Sequence, residues 1–340
     1  LLVKISVALC THNGASFVGQ QLMGLRWQTK PPYEVIVVDA DSTDRTVEIV
    51  NAYADQVPYP VRIVRNTAPF GLIKNYEHAI RLCTGEAIAL CHQDDLWQPD
   101  KLRKLARVLE REPGVGGVFS DGSLIDEHSR ELSGSLWQRL GFTLRQQTAF
   151  NRNPALNILL QKNVVTVSTL LFRYRFVEQI TPIAPEWSLA AWIAVLVAAQ
   201  SHLVAVPDAL ISYRVHPTRQ VGKAVSPWQE TIRGDADRTV SAQDLMSVRW
   251  SVMAAKLAGL RIDPAYLQLV QKKASFLKTR SKLREQGLLG RFAGATAELP
   301  AYLRFSPGLS TYLRDLKGTG FDWDVATEVN AAAGSAINMW

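Results

Sequence analysis

The first 120 residues alternate short apolar runs with amphipathic stretches, and no other feature of the chain limits its fold so tightly. ISVALC (5–10), EVIVVD (34–39), VRIVR (61–65), EAIALC (86–91) and GVFS (117–120) are each four to six residues long. Runs of this kind predict strands buried on both faces. Between them, Ser16–Trp27 sets Phe17, Val18, Leu22 and Leu25 on one helical face. The stretch capped by Ser42, Thr43 and Asp44 does the same with Val47, Val50 and Ala54. A third helix is expected over Leu72–Leu82, closed by Gly85. A fourth opens at Pro99, with Leu102, Leu105, Ala106 and Leu109 inward. Alternation of this kind predicts an α/β fold with a mostly parallel sheet flanked by helices. Ligands of such sheets sit outside the carboxyl ends of the strands. Asn13-Gly14, Asp39 and Asp94-Asp95 each follow such an end, so topology alone brings three separate polar clusters to one edge.

The remainder is less regular. VVTVSTLLF (164–172) and HLVAVP (202–207) predict strands, and Glu186–Ala199 predicts a helix. From about Ser241 the pattern is helical, over Leu245–Leu260, Pro264–Glu285 and Gly290–Leu303. The apolar stretch Trp187–Val206 is interrupted by Ser188, Gln200, Ser201 and His202, which suits a buried helix and strand better than a membrane span. LLVKISVALC has no cleavage site and is expected to enter a strand directly, not to be a signal peptide. Cys10, Cys83 and Cys91 lie in apolar contexts and are expected to be reduced core thiols of a cytoplasmic protein. The net charge of +7 suits anionic partners such as nucleotides, phosphates or an acidic membrane. Between Lys256 and Arg291, nine Lys/Arg face two acids, Asp263 and Glu285. This basic region lacks aromatic interleaving, so no nucleic-acid partner is expected.

The stretch CHQDDLWQPDKL (91–102) puts two like charges side by side where a strand ends. It reads either as a metal and phosphate site or as an acidic turn ahead of a helix. ISVALCTHNGASFVGQQL, VVDADSTDRT, GLIKNYEHAI and GEAIALCHQDDLWQPDKL, in this order, resemble the inverting family 2 glycosyltransferases of the GT-A fold. Within that family the chain is most similar to rhamnosyltransferase-like bacterial enzymes of surface-polysaccharide synthesis. The resemblance is clear over 3–125. It continues more loosely through FSDGSLIDE, PEWSLAAWIA and YRVHPTRQVG.

The resemblance implies a GT-A domain over 1–222 and a helical C-terminal extension over 223–340. It implies transfer of a sugar, with inversion, from a nucleotide-diphosphate donor to a saccharide or lipid-linked saccharide acceptor. Such an enzyme is expected in the cytoplasm, peripherally at the inner membrane face, with its basic helices toward anionic lipid. Residue by residue, Thr11 and Asn13 fall where the family binds the nucleobase, and Asp39 where it contacts base or ribose. The family's second acid follows that Asp directly; here Ala40 intervenes and Asp41 stands one position on. Asn75 falls near the nucleotide edge, Asp94 on the ribose or sugar side, and Asp95 on a divalent cation, Mg2+ or Mn2+. Arg214 and Arg219 fall near the leaving diphosphate, with His216 as a metal ligand beside them. Plain turn and cap duty is the alternative for Asp39, Asp41 and Asp44.

The chain departs from the family where a His-Asp pair should supply the catalytic base. Leu189 and Ala190 occupy those positions, His92 stands where an acid is common, and Val167 where glycine is. Glu186, one helical turn before Ala190, and Asp121, at a strand end, compete for the base. A chain whose base has been removed, or a pseudoenzyme that binds sugar nucleotides without transfer, are the other readings. A nucleotidyltransferase would want a Gly-rich basic loop after the first strand, and THNGASF has one Gly and no Lys or Arg.

Overall fold

The computed structural model describes residues 2–66, 71–215, 242–283 and 286–317. The expected boundary at 222/223 lies outside them. Nine strands form one sheet: β1 (Ile5–Thr11), β2 (Glu34–Asp39), β3 (Val61–Arg65), β4 (Ala87–His92), β5 (Leu96–Trp97), β6 (Val115–Ile125), β7 (Glu131–Ser135), β8 (Leu170–Arg173) and β9 (His202–Arg214). The order is β3-β2-β1-β4-β8-β6-β9-β5, with β7 paired to β6.

The half made of β3, β2, β1 and β4 is parallel, as its strand–helix alternation predicts. The other half is mixed: β8 runs antiparallel to both β4 and β6, while β9 is parallel to β6. VVTVSTLLF supplies only the four-residue β8, because Val167–Thr169 turn in a short 3-10 helix before it. β6 runs well past GVFS. Its polar SDGS continues the strand through register shifts on both sides of Asp121.

Side chains alternate across the sheet, which explains why the strands are apolar on both faces. Ala8, Cys10, Ile36, Val38, Ile88 and Leu90 enter one core, with helix Gly71–Leu82, helix Leu189–Gln200 and the C-terminal helices. Val7, Leu9, Val35, Val37, Ala89 and Cys91 enter the other, with helices Val18–Arg26 and Lys101–Arg111. All three cysteines are free and buried.

Helix Leu189–Gln200 is buried along nearly its whole length. It starts three residues later than the sequence suggests. Ser188 is extended, and the buried Trp187 packs edge-on against Trp250 and donates Nε1–H to the Arg249 carbonyl. Among the described residues no helix is long and apolar enough to cross a membrane. The C-terminal helices run Ala242–Ala258, Pro264–Leu283, Leu288–Ala297, Leu299–Phe305 and Leu309–Lys317. The continuous helix expected over Gly290–Leu303 breaks at Glu298. Pro300 sits in the first turn of the next helix, where its missing N–H costs nothing. A buried Arg280–Asp315 pair, joined by the Tyr302 hydroxyl, ties three of these helices together.

Candidate active site

Thr11, Asp39 and Arg65 are register neighbours at the carboxyl ends of β1, β2 and β3, and His92 ends β4 beside Cys10. Asp39 is buried. Its Oδ1 accepts from Thr11 Oγ1 at 2.8 Å and Ser42 Oγ at 2.5 Å, and its Oδ2 accepts from the Ser42 amide at 2.9 Å. Asn13 takes a left-handed backbone, φ 43°, which Asn tolerates. Its amide donates to Ser42 Oγ and its Oδ1 accepts from the Thr43 amide. The next two amides, Gly14 and Ala15, donate to Thr46 Oγ1 and Asp44 Oδ2. Burial raises the Asp44 pKa, but the Thr46 hydroxyl and the Ala15, Thr46 and Asp44 backbone N–H groups outweigh it and hold the carboxyl below its ordinary range. The loops after β1 and β2 are thereby laced into one surface. Asp41, also left-handed at φ 55°, is exposed, with Arg65 Nη2 at 3.4 Å. Asn75 joins from helix Gly71–Leu82. Its Oδ1 accepts from Asn66 Nδ2, and the Asn66 amide donates to the Asp39 carbonyl.

The turn after β4 docks on the same surface. Gln93 clamps the His12 backbone from both sides. A Cβ on Gly14 would lie 2.2 Å from Gln93 Oε1, so the clamp requires glycine there. Asp94 and Asp95 are buried. His92 Nδ1 lies 3.3 Å from Asp94 Oδ2 but out of line for a hydrogen bond.

Arg214, at the end of β9, is fully buried against this turn. Its amide donates to Asp95 Oδ1 at 3.3 Å and its Nε to the Asp94 carbonyl at 2.9 Å. Its Nη1 donates to the Asp126 carbonyl and Ser129 Oγ, and its Nη2 to Gln20 Oε1. The guanidinium covers the Phe17 ring. The sequence suggested an arginine facing a diphosphate. The structure instead places this one underneath, where it braces the double-aspartate turn. His216 and Arg219 lie outside the described residues.

Lys101 also lies beneath the turn. Its ammonium sits 4.5 Å from the Trp97 ring centroid and has no hydrogen-bond partner among the described residues. Burial pushes its pKa down to about 7, against the pull of Cys91 and Asp95. In the unfolded chain the group titrates near 10.5. The unfolded state therefore binds more protons between about pH 7 and 10.5, and stability rises with pH across that window. Below it the penalty is complete. Lys101→Met should stabilise the fold by about 2–4 kcal/mol at about pH 6.5, with the gain fading toward pH 10. Urea unfolding across this range measures it, and a gain independent of pH would contradict the assignment.

The two base candidates differ. Asp121 does not end its strand. It sits at an irregularity inside β6, and its Oδ1 accepts from the Gly122 amide at 2.7 Å and the Trp137 amide at 2.9 Å. Glu186 is half-buried in the turn before helix Leu189–Gln200. It makes no hydrogen bond or ion pair among the described residues. The expected helical-turn relation to Ala190 does not hold, because the helix starts only at Leu189.

Topology locates that turn. The helix packs on β6 and β9, and Ser201 alone links it to β9, so it runs back along β9. β9 is parallel to β6, and β6 runs in the direction of β4 through the intervening antiparallel β8. Twelve helical residues span about 18 Å, close to the ~20 Å of a six-residue strand. The N-terminus of the helix therefore projects at the edge that carries Asp94 and Asp95.

Asp94 and Asp95 supply hard oxygen donors. Among the described residues no group of three or more His, Cys, Asp and Glu gathers for a metal. A Mg2+-type ion takes one or two carboxylates and completes its shell with phosphate and water, so the pair fits.

A parallel half-sheet with polar loops and a double aspartate gathered at one edge is the arrangement of the GT-A fold. The fold agrees with that of S. aureus TarS residues 1–349 in complex with UDP-GlcNAc, at TM-score 0.57 and 15% identity, covering 96% of this chain and 89% of that one. It is also similar to the mannosyltransferase PcManGT of Pyrobaculum calidifontis in complex with GDP-Man and Mn2+, at TM-score 0.52 and 17% identity, covering 97% and 86%. The profile of Glycosyl transferase family 2 matches residues 6–159, and the chain carries a domain of that family.

An uncharacterized glycosyltransferase of Nostoc sp. is 25% identical over 235 residues, 67% of this chain and 70% of the relative. An uncharacterized protein of Mycobacterium tuberculosis is 26% identical over 219 residues, 62% of this chain. That match spans 59% of the mycobacterial protein's length.

Proposed function

We propose that this protein transfers a sugar from a nucleoside-diphosphate sugar to a hydroxyl of a saccharide or lipid-linked saccharide, with inversion, in bacterial surface-polysaccharide synthesis. The observation that carries the reading is the convergence of Thr11, Asn13, Asp39 and Asp94-Asp95 at one sheet edge. In this reading residues 1–222 form the transferase domain and 223–340 a helical extension. The protein works in the cytoplasm, against the anionic face of the inner membrane.

Thr11, Asn13, Asp39 and Asn75 shape the nucleoside pocket, and Asp41 with Arg65 forms its outer wall. Asp94 faces the ribose or sugar, and Asp95 holds Mg2+ or Mn2+. A bound divalent cation neutralises the charge that the departing diphosphate gathers. Arg219 and His216 serve the same diphosphate. Glu186 takes the acceptor proton as the acceptor oxygen forms its bond to the anomeric carbon from the face opposite the leaving group.

Thermal unfolding with a panel of nucleoside diphosphates, with and without Mn2+, tests the donor site. A nucleotide held at about 100 times its Kd stabilises the fold by ~2.7 kcal/mol. We expect one base class to do so, only with the cation, and Asp95→Ala to lose the effect. No stabilisation of the wild type by any nucleotide overturns the donor site.

A further inference from the structure

Helix Leu288–Ala297 is inverted relative to an ordinary surface helix. Its inward face is built of small groups: Ala295 is buried, and a Cβ on Gly294 would lie 2.4 Å from Leu283 Cδ2. The helix therefore seats closely on the end of helix Pro264–Leu283, against the buried Leu283, with the Arg291 Nε buried on the same side. Its large apolar residues face outward, with Leu288 68%, Leu289 85% and Phe292 60% exposed. These three, with Ala293 and Thr296, are spaced along one helical face that carries no charge. Neighbouring helices add Leu303, Leu309 and Leu313, each more than half exposed. Water-facing helices normally place Leu and Phe inward and polar groups outward.

The surrounding charge selects what covers this face. Between Lys256 and Lys317 the chain has twelve Lys/Arg and four Asp/Glu, an excess of eight where the whole chain carries +7. The rest of the chain is thus close to neutral, and the cationic character belongs to the C-terminal helices. Such an excess repels a second copy of the same face and attracts an anionic one. Exposed Leu and Phe among Lys and Arg match the two layers of a bilayer surface, acyl chain below and anionic headgroup above.

We infer that the exposed face of helix Leu288–Ala297, with its cationic surroundings, docks this protein onto anionic lipid bilayers. Leu288, Leu289 and Phe292 insert, and Lys282, Arg304, Arg314 and Lys317 meet headgroups. This deepens the membrane-facing part of the proposed function and is independent of the sugar-transfer chemistry.

Flotation of the full chain with vesicles of phosphatidylcholine, alone or mixed with phosphatidylglycerol, tests it. Binding is expected to the mixed vesicles only and to weaken as salt rises. The triple variant Leu288→Ser, Leu289→Ser, Phe292→Ser should lower the partition coefficient by about tenfold or more. Its nucleotide-dependent thermal shift should match the wild type, which shows that the variant is folded and keeps the donor site separate from the docking result. Equal binding by variant and wild type overturns the inference. So does a lack of dependence on phosphatidylglycerol. A dimer in sedimentation velocity that the triple variant abolishes, without any vesicle binding, assigns the face to self-association and likewise overturns it.

Discussion

Asp95→Asn is expected to lower the rate of sugar transfer by about a thousandfold or more, a loss of ~4 kcal/mol of transition-state stabilisation. Asp95 is fully buried, and its Oδ1 accepts from the Arg214 amide at 3.3 Å. Holding a carboxylate charged at a buried position is costly, and a divalent cation shared with a diphosphate offsets that cost. Asn keeps the shape and the contact with the Arg214 amide but carries no charge, so the cation loses its anchor while the turn survives. Transfer in wild type should depend on Mg2+ or Mn2+, and the residual activity of the variant should not. The measurement is turnover against cation concentration for both proteins, with circular dichroism to show equal folding. A variant that keeps wild-type cation dependence would place the metal elsewhere and remove the central assignment of the site.

How far the site was legible follows from where each side chain lies. Asp94 and Asp95 stood out because like charges at the end of an apolar strand demand a partner. Thr11 and Asp39 were legible through topology, since parallel strands must end together. Arg65 was missed: it ends an edge strand whose Val-Arg-Ile-Val-Arg alternation reads as ordinary exposure. Arg214 was noticed for its charge, yet its role depends on β9 reaching the double-aspartate turn 119 residues away in sequence, a contact no local pattern encodes. The inward face expected for the fourth helix did not include Lys101. Stepping back by four from Leu109 through Leu105 reaches Lys101, so the core-facing period held the signal. Asp121 seemed to end a strand because Ser, Asp and Gly usually do; the strand continues because its irregularity absorbs them.

The reaction needs a base, and the structure weighs the two carboxylates differently. Both hydrogen bonds found for Asp121 come from backbone amides on Oδ1, so that oxygen is committed to holding the turn. Its replacement would chiefly loosen the turn at Trp137. Glu186 carries no such bonds among the described residues and stands in the turn that topology brings to the Asp94-Asp95 edge. Ala190, where the family resemblance implies an aspartate, is buried in the first turn of the helix and has no group to offer. Glu186→Gln should therefore cut kcat by about 100- to 10,000-fold, the usual worth of a general base, while the nucleotide thermal shift stays at the wild-type value. Ala190→Asp in the Glu186→Gln background provides the complementary measurement. A carboxylate at a helix N-terminus is favoured by the helix dipole, so the second change should restore part of the lost rate. If Glu186→Gln is as active as wild type and Ala190→Asp alone raises the rate, the base position is the one at 190, vacant in this chain, and Glu186 is only a turn residue.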